Sequence, residues 1–96
     1  MSEIEWLPEA LGDIERLYTF LHDKDFDAAK RMAANLLKGT ELLQSSPRTG
    51  RPMPDETGRR ELFVAFGAGA YVLRYINTGK VIIIIRVWHS KENRSS

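Results

Sequence analysis

The sequence contains no cysteine. It therefore has no disulfide, thiolate nucleophile or thiolate metal ligand, and a reducing cytoplasm is its expected setting. Histidine is nearly as scarce. His22 and His89 are the only two, and neither has carboxylates at ligand spacing, so no metal or other cofactor is expected. Long apolar runs are missing as well: none is longer than Val81–Ile85, a quarter of the roughly twenty residues a membrane-spanning helix needs. The opening MSEIEWLPEA carries acids and no apolar stretch, which speaks against a secretory signal. There are no repeats, no low-complexity segments and no serine-nucleophile signature, and Gly67-Ala68-Gly69 alone reads as a turn rather than a phosphate cradle. Together these absences argue against metal, thiol and serine-triad enzymology.

What is present fits one small folded domain spanning residues 1–96. The chain is 43% hydrophobic and 28% charged, too apolar for a disordered segment and too short for two cores. A net charge of +1 hides a polarity. Residues 1–47 hold five Lys/Arg against nine Asp/Glu, whereas residues 48–96 hold nine against four. Such a split points to two faces with different partners, or to acidic helices preceding a basic sheet, each merely solvated.

Hydrophobic spacing divides the chain into a first strand over 1–7, a helical hairpin over 8–45, a loop over 46–59, a three-stranded meander over 60–89 and a polar tail over 90–96. Pro8 suits the first helical position. After it, Leu7, Leu11, Ile14, Tyr18 and Leu21 recur at steps of four and three, widened by Ala10 and Leu17, as the apolar face of an amphipathic helix. Asp25 is the expected N-cap of a second helix, whose apolar face is Ala29, Met32, Ala33, Leu36, Leu37 and Leu43. Gly39 should weaken its last turns, and Ser45-Ser46-Pro47 should end it. Three of the four prolines fall in Ser46–Gly58, which is expected to be a loop.

For the meander, parity across simple hairpins predicts two faces. Arg60, Leu62, Val64, Val72, Arg74, Ile76, Ile83, Ile85, Val87 and His89 are expected on one. Glu61, Phe63, Tyr71, Leu73, Tyr75, Ile82, Ile84, Arg86 and Trp88 are expected on the other. Both read as apolar, so the sheet is expected to be buried on two sides. A helical hairpin covers one of them, leaving the second for a partner.

Metal-free RNA cleavage requires an acid or base and cations to stabilise the transition state. His89, Arg60 and Arg74 supply those types on one predicted face. Against this stands the plainer possibility that the arginines pair with nearby carboxylates and His89 merely ends a strand. Arg48, Arg51, Arg59, Arg60, Lys91 and Arg94 are candidates for a phosphate-contacting patch, with Trp88 and Tyr71 as stacking aromatics.

Six pieces in order carry a further signal. They are WLPEALGDIERLYTFL, with Ala10, the Asp13-Ile14 pair and Tyr18; DAAKRMAANL; LLQSSPRTGRP, with Leu43, Pro47 and Gly50-Arg51; GRRELFV; AYVLRYI, with Tyr71 and Tyr75; and VIIIIRVWHSKEN, ending on His89. This succession resembles the RelE/ParE superfamily of bacterial type II toxins. The resemblance implies an α+β fold of order β-α-α-β-β-β, with a first strand and an antiparallel α-hairpin on a small, mainly antiparallel sheet. It also implies a toxin held inactive in a hetero-oligomeric complex with a cognate antitoxin protein. RelE-like members of that superfamily cut messenger RNA on the ribosome; ParE-like members poison DNA gyrase. Here Val72 follows the first tyrosine where RelE has an arginine, and His89-Ser90 replaces a basic pair. The resemblance thus favours a gyrase inhibitor acting by contact, with a ribosome-dependent endoribonuclease using Arg60, Arg74 and His89 as the alternative. Partner-directed chemistry is expected from Arg51, Arg60, Arg86, Trp88, His89, Lys91 and Arg94.

Overall fold

The computed structural model describes residues 2–92. In chain order it comprises β1 (Glu3–Trp6), α1 (Pro8–Lys24), α2 (Phe26–Ser45), β2 (Arg51–Pro52), β3 (Arg59–Phe66), β4 (Gly69–Asn77) and β5 (Val81–His89). The strands form one mixed sheet in the order β1-β5-β4-β3-β2, with β1 parallel to β5 and the remaining pairs antiparallel. The helical hairpin lies on one face, closing a core that includes Leu17, Met32, Leu36, Leu43, Leu62, Leu73, Tyr75, Ile82, Ile84 and Val87.

Local chemistry explains the helix ends. Pro8 opens α1, where its missing N–H is no loss. The Asp25 carboxylate accepts from the Ala28 N–H at 3.2 Å and caps α2. Gly39 does not end that helix, which runs on to Ser45. Its lack of a side chain instead lets α2 approach the sheet: a Cβ there would sit 3.1 Å from Val64 and 3.3 Å from Leu73. Packing has overridden propensity.

Each helical stripe is rotated from the one predicted. On α1 the buried line is Ala10, Asp13 and Leu17, while Leu7 and Leu11 are exposed. A carboxylate enters that line because it binds the sheet, as described below. On α2, Ala33 and Leu37 face outward, with Ala28, Ala29, Met32, Leu36, Gly39, Thr40 and Leu43 turned in.

Sheet register overturns the predicted faces in two places. Phe66 pairs with Gly69, so the β3–β4 turn is the two-residue Gly67-Ala68, and Val64 opposes Tyr71 rather than falling in step with Val72. Gly67 supplies the positive φ of 61° that such a turn requires. On β5, Ile84 opposes Tyr75 but Arg86 opposes Arg74, leaving Ile85 as an inserted residue that flips everything after it. The helix-facing side therefore carries Arg60, Leu62, Val64, Tyr71, Leu73, Tyr75, Ile82, Ile84, Val87 and His89. The outer side carries Glu61, Phe63, Val72, Arg74, Ile76, Ile83, Arg86 and Trp88. Burial alternates along β5, with Ile82 and Ile84 sealed and Ile83 and Ile85 half-buried. The outer side is thus partly open rather than buried. Within the predicted loop, Arg51 and Pro52 add the short edge strand β2 against Glu61 and Arg60.

Candidate partner-binding site

Beyond Trp6, β1 stops and the edge of β5 is left without a strand. Asp13 of α1 takes its place. Its Oδ2 accepts from the Val87 N–H at 2.9 Å and from Arg86 Nε at 2.8 Å, and its Oδ1 accepts from Arg86 Nη2 at 3.0 Å. Burial pushes this carboxyl up, but the Arg86 guanidinium, the Val87 N–H and Arg16 outweigh that and hold it below the usual carboxylate range. The acid embedded between Ala10 and Leu17 in an otherwise apolar stripe was the readable signal for this contact.

At the far end of β5 the chain turns over itself. Ser90 bonds Ala70 in both directions, through its N–H to the carbonyl at 2.7 Å and through Oγ from the Ala70 N–H at 2.9 Å. His89 Nδ1 accepts from the Lys91 N–H at 3.1 Å, which places the imidazole proton on Nε2, 3.4 Å from the Phe66 carbonyl. Both ring nitrogens thus face main-chain groups. The imidazole also sits edge-on to Tyr71 at 4.8 Å. Glu92 follows and ion-pairs with Arg16.

Between this turn and α1 lies a cleft of about 600 Å³. Leu17, Phe20, Leu21 and Phe66 form apolar walls, and Arg16, His89, Lys91 and Glu92 add charged and polar groups. Tyr71 also lines it. That residue is only 2% exposed, and burial, then the Glu92 charge, push its hydroxyl up to about 12, so it remains a proton donor.

The outer side of the sheet has a different character. Arg51 stacks over Phe63 at 5.1 Å, and Arg74 over Trp88 at 4.8 Å. Arg74 is fixed there by Glu61, whose Oε2 accepts from Nε at 3.0 Å and from Nη2 at 2.8 Å. Phe63 is 47% exposed. The result is an open surface of arginine and aromatic groups.

The residues chosen from sequence for RNA cleavage do not converge. Arg74 is on the outer side of the sheet, whereas Arg60 and His89 are on the helix side. Arg60 opposes Tyr75 and His89 is level with Tyr71, about 13 Å apart along β4 at the usual strand rise. Arg60 donates to the carbonyls of Arg48 at 3.1 Å and Gly50 at 2.7 Å, holding the loop rather than facing solvent chemistry. Of the proposed contact residues, Arg51 and Trp88 share the outer surface with Arg74, Arg86 is drawn to Asp13, and Lys91 and His89 border the cleft. Arg94 lies outside the described residues. The phosphate patch is dispersed too: Arg59 pairs with Asp55 at 3.2 Å. Sequence reasoning missed Phe63 as an exposed contact and Arg16 as a cleft cation. Among the described residues no group of three or more His, Asp or Glu could hold a metal ion, and no helix is long and apolar enough to cross a membrane.

A second groove, of about 400 Å³, runs between β1 and the hairpin, with Trp6, Ile14, Met32 and Leu36 among its lining. Leu11 and Leu37 also line it and are more than half exposed. Two large aliphatic side chains are thus left in water beside an apolar trough.

Comparison with known proteins adds a lineage to this geometry. Residues 4–94 match the family described as the ParE toxin of type II toxin–antitoxin system, parDE. Toxin RelE1 of Caulobacter vibrioides is 35% identical over 85 residues, covering 88% of this chain and 89% of that protein. Toxin RelE3 of the same bacterium is 34% identical over 94 residues, covering 98% and 100% respectively. Among solved structures, the chromosomal ParDE TA system from P. aeruginosa superposes with a TM-score of 0.70 at 20% identity, covering 93% of this chain and 96% of that one. That likeness shows a shared fold.

Proposed function

Because this chain belongs to the ParE toxin family of type II toxin–antitoxin systems, we propose that it acts by protein–protein contact as an inhibitor of DNA gyrase, and that a cognate antitoxin neutralises it by binding directly. The observation that carries this reading is the contrast between two sets of groups. The would-be nuclease residues Arg60, Arg74 and His89 are held by neighbours and separated by face and distance. A general base needs a lone pair aimed at its substrate, and both nitrogens of His89 face the backbone. By contrast, the outer sheet displays Arg51 and Trp88, residue types enriched in protein-binding hot spots, beside the exposed ring of Phe63.

The antitoxin's place is the groove beside β1. An amphipathic segment with apolar residues at helical spacing would cover Leu11 and Leu37 and complete the burial of the hairpin. This reading also gives the cytoplasm as the site of action, where gyrase and antitoxin are both available.

One test addresses target and mechanism together. Purified toxin added to gyrase and supercoiled plasmid should lower supercoiling and accumulate linear DNA, while translated messenger RNA stays intact. Phe63→Ser and Trp88→Ala should each weaken that inhibition about tenfold or more. The second reading, a ribosome-dependent endoribonuclease, draws on the RelE names of the two curated relatives. In-frame cuts in translated transcripts that vanish with His89→Ala, with gyrase untouched, would replace the first reading by the second.

A further inference from the structure

We infer that the cleft between α1 and the end of β5 receives an apolar side chain of the antitoxin together with an adjoining carboxylate, and that Glu92 stands in for that carboxylate in the free toxin. The inference rests on the antitoxin reading above and adds a second anchoring point, which shares no lining residue with the groove at β1.

Three observations lead to it. Tyr71 is almost wholly buried, yet its hydroxyl makes no hydrogen bond among the described residues. Its neighbour on the strand face, Tyr75, bonds twice through the same atom. No described polar side-chain atom is both sealed and unpaired, so the Tyr71 hydroxyl opens into the cleft it lines. A buried phenol held in its protonated form offers an O–H to an incoming acceptor.

The second observation is size and lining. About 600 Å³ enclosed by Leu17, Phe20, Leu21 and Phe66 exceeds what one water cluster fills and suits a large aliphatic or aromatic side chain. Phe20 is 61% exposed at its rim, an apolar ring in water until something covers it. The third is charge. Arg16 and Lys91 line the cleft as cations against a single acid, Glu92. The Glu92 carboxylate reaches back from the terminal turn to Arg16, on a side chain that is itself 52% exposed. A surface pair of this kind is worth little, so an external carboxylate can exchange with it. The ligand that satisfies all three is an acidic peptide segment with a bulky apolar residue, and the net positive charge of the C-terminal half favours its approach.

The test measures affinity of the purified antitoxin, encoded beside the toxin, for the wild-type chain and four variants by competition titration. Tyr71→Phe removes only the hydroxyl and should weaken binding about three- to tenfold. Phe20→Ser should weaken it about tenfold. Glu92→Gln removes the internal competitor and should tighten binding about two- to fivefold. Leu37→Asp, in the groove at β1, serves as the separate control and should weaken binding whether or not the cleft is used. Opposite signs for Tyr71→Phe and Glu92→Gln sustain the proposal. Binding sensitive to Leu37→Asp but indifferent to the three cleft substitutions overturns the cleft alone. Absence of any binding by the wild-type chain overturns the neutralisation reading and the cleft with it.

Discussion

Two tyrosines of β4 share one face of the sheet and differ in almost everything else. Tyr75 is fully buried, donates to the Pro47 carbonyl at 2.7 Å and accepts from the Gly50 N–H at 2.9 Å. Gly50 fits beneath it only as glycine, since a Cβ would stand 2.6 Å from the ring. Arg60 adds its bonds to the same loop, so this end of the sheet has its polar groups matched internally. Tyr71, four residues earlier, faces a cleft with its hydroxyl unmatched among the described residues. One phenol fastens a loop to the sheet; the other waits at an opening. The comparison teaches that residue type and burial do not tell a fastened phenol from an open one here, whereas hydrogen-bond completeness does.

The strongest way to break that comparison is to remove what keeps the open end in place. Asp13→Ala strips the Val87 N–H and Arg86 of their acceptor, and should cost about 3 kcal/mol in urea unfolding. The open end would then prove as dependent on internal bonds as the closed one. The same carboxylate carries an acid signature. Its folded pKa lies below its unfolded one, so its stabilisation is complete above the unfolded value and is lost as pH falls through the folded value. Unfolding midpoints should therefore drop more steeply for the wild type than for Asp13→Asn as the pH is lowered below about 5.

Next in size is Tyr75→Phe, which strands a buried N–H and a carbonyl and should destabilise by about 2 kcal/mol. Smallest is the paired change, Tyr71→Phe, which should alter the unfolding free energy by less than about 0.5 kcal/mol because no bond to a described residue is lost. Equal losses for the two phenylalanine variants would erase the distinction; a difference larger than about 1 kcal/mol would sharpen it.

Much of the fold could be read from residue order. Periodicity located both helices, Asp25 announced its cap, and the apolar run at Val81–Ile85 marked the strand that proves to lie inside the sheet, between β1 and β4. Register could not be read. A glycine turn of two residues or three looks the same in sequence, and nothing in VIIIIRVWH reveals that Ile85 is an insertion. Those two shifts moved Arg74 away from His89 and dissolved the expected catalytic trio. The cleft was hidden for another reason. It joins α1 to a turn more than seventy residues later, and only tertiary structure brings Arg16 to Glu92. The stripe on α1 contained the hint, an aspartate among alanine and leucine, that spacing rules alone treat as noise.

The parallel pairing of Glu3 with Val81 and of Trp6 with Ile84 has a consequence for how the protein comes into being. During synthesis, everything up to residue 80 emerges while β5, the strand between β1 and β4, is still missing, and the first strand has nothing to dock against. Contacts this distant in sequence are costly in chain entropy and form late. The sheet therefore cannot close over its first strand until residues 81–89 are made, and any surface that depends on the closed sheet forms only then.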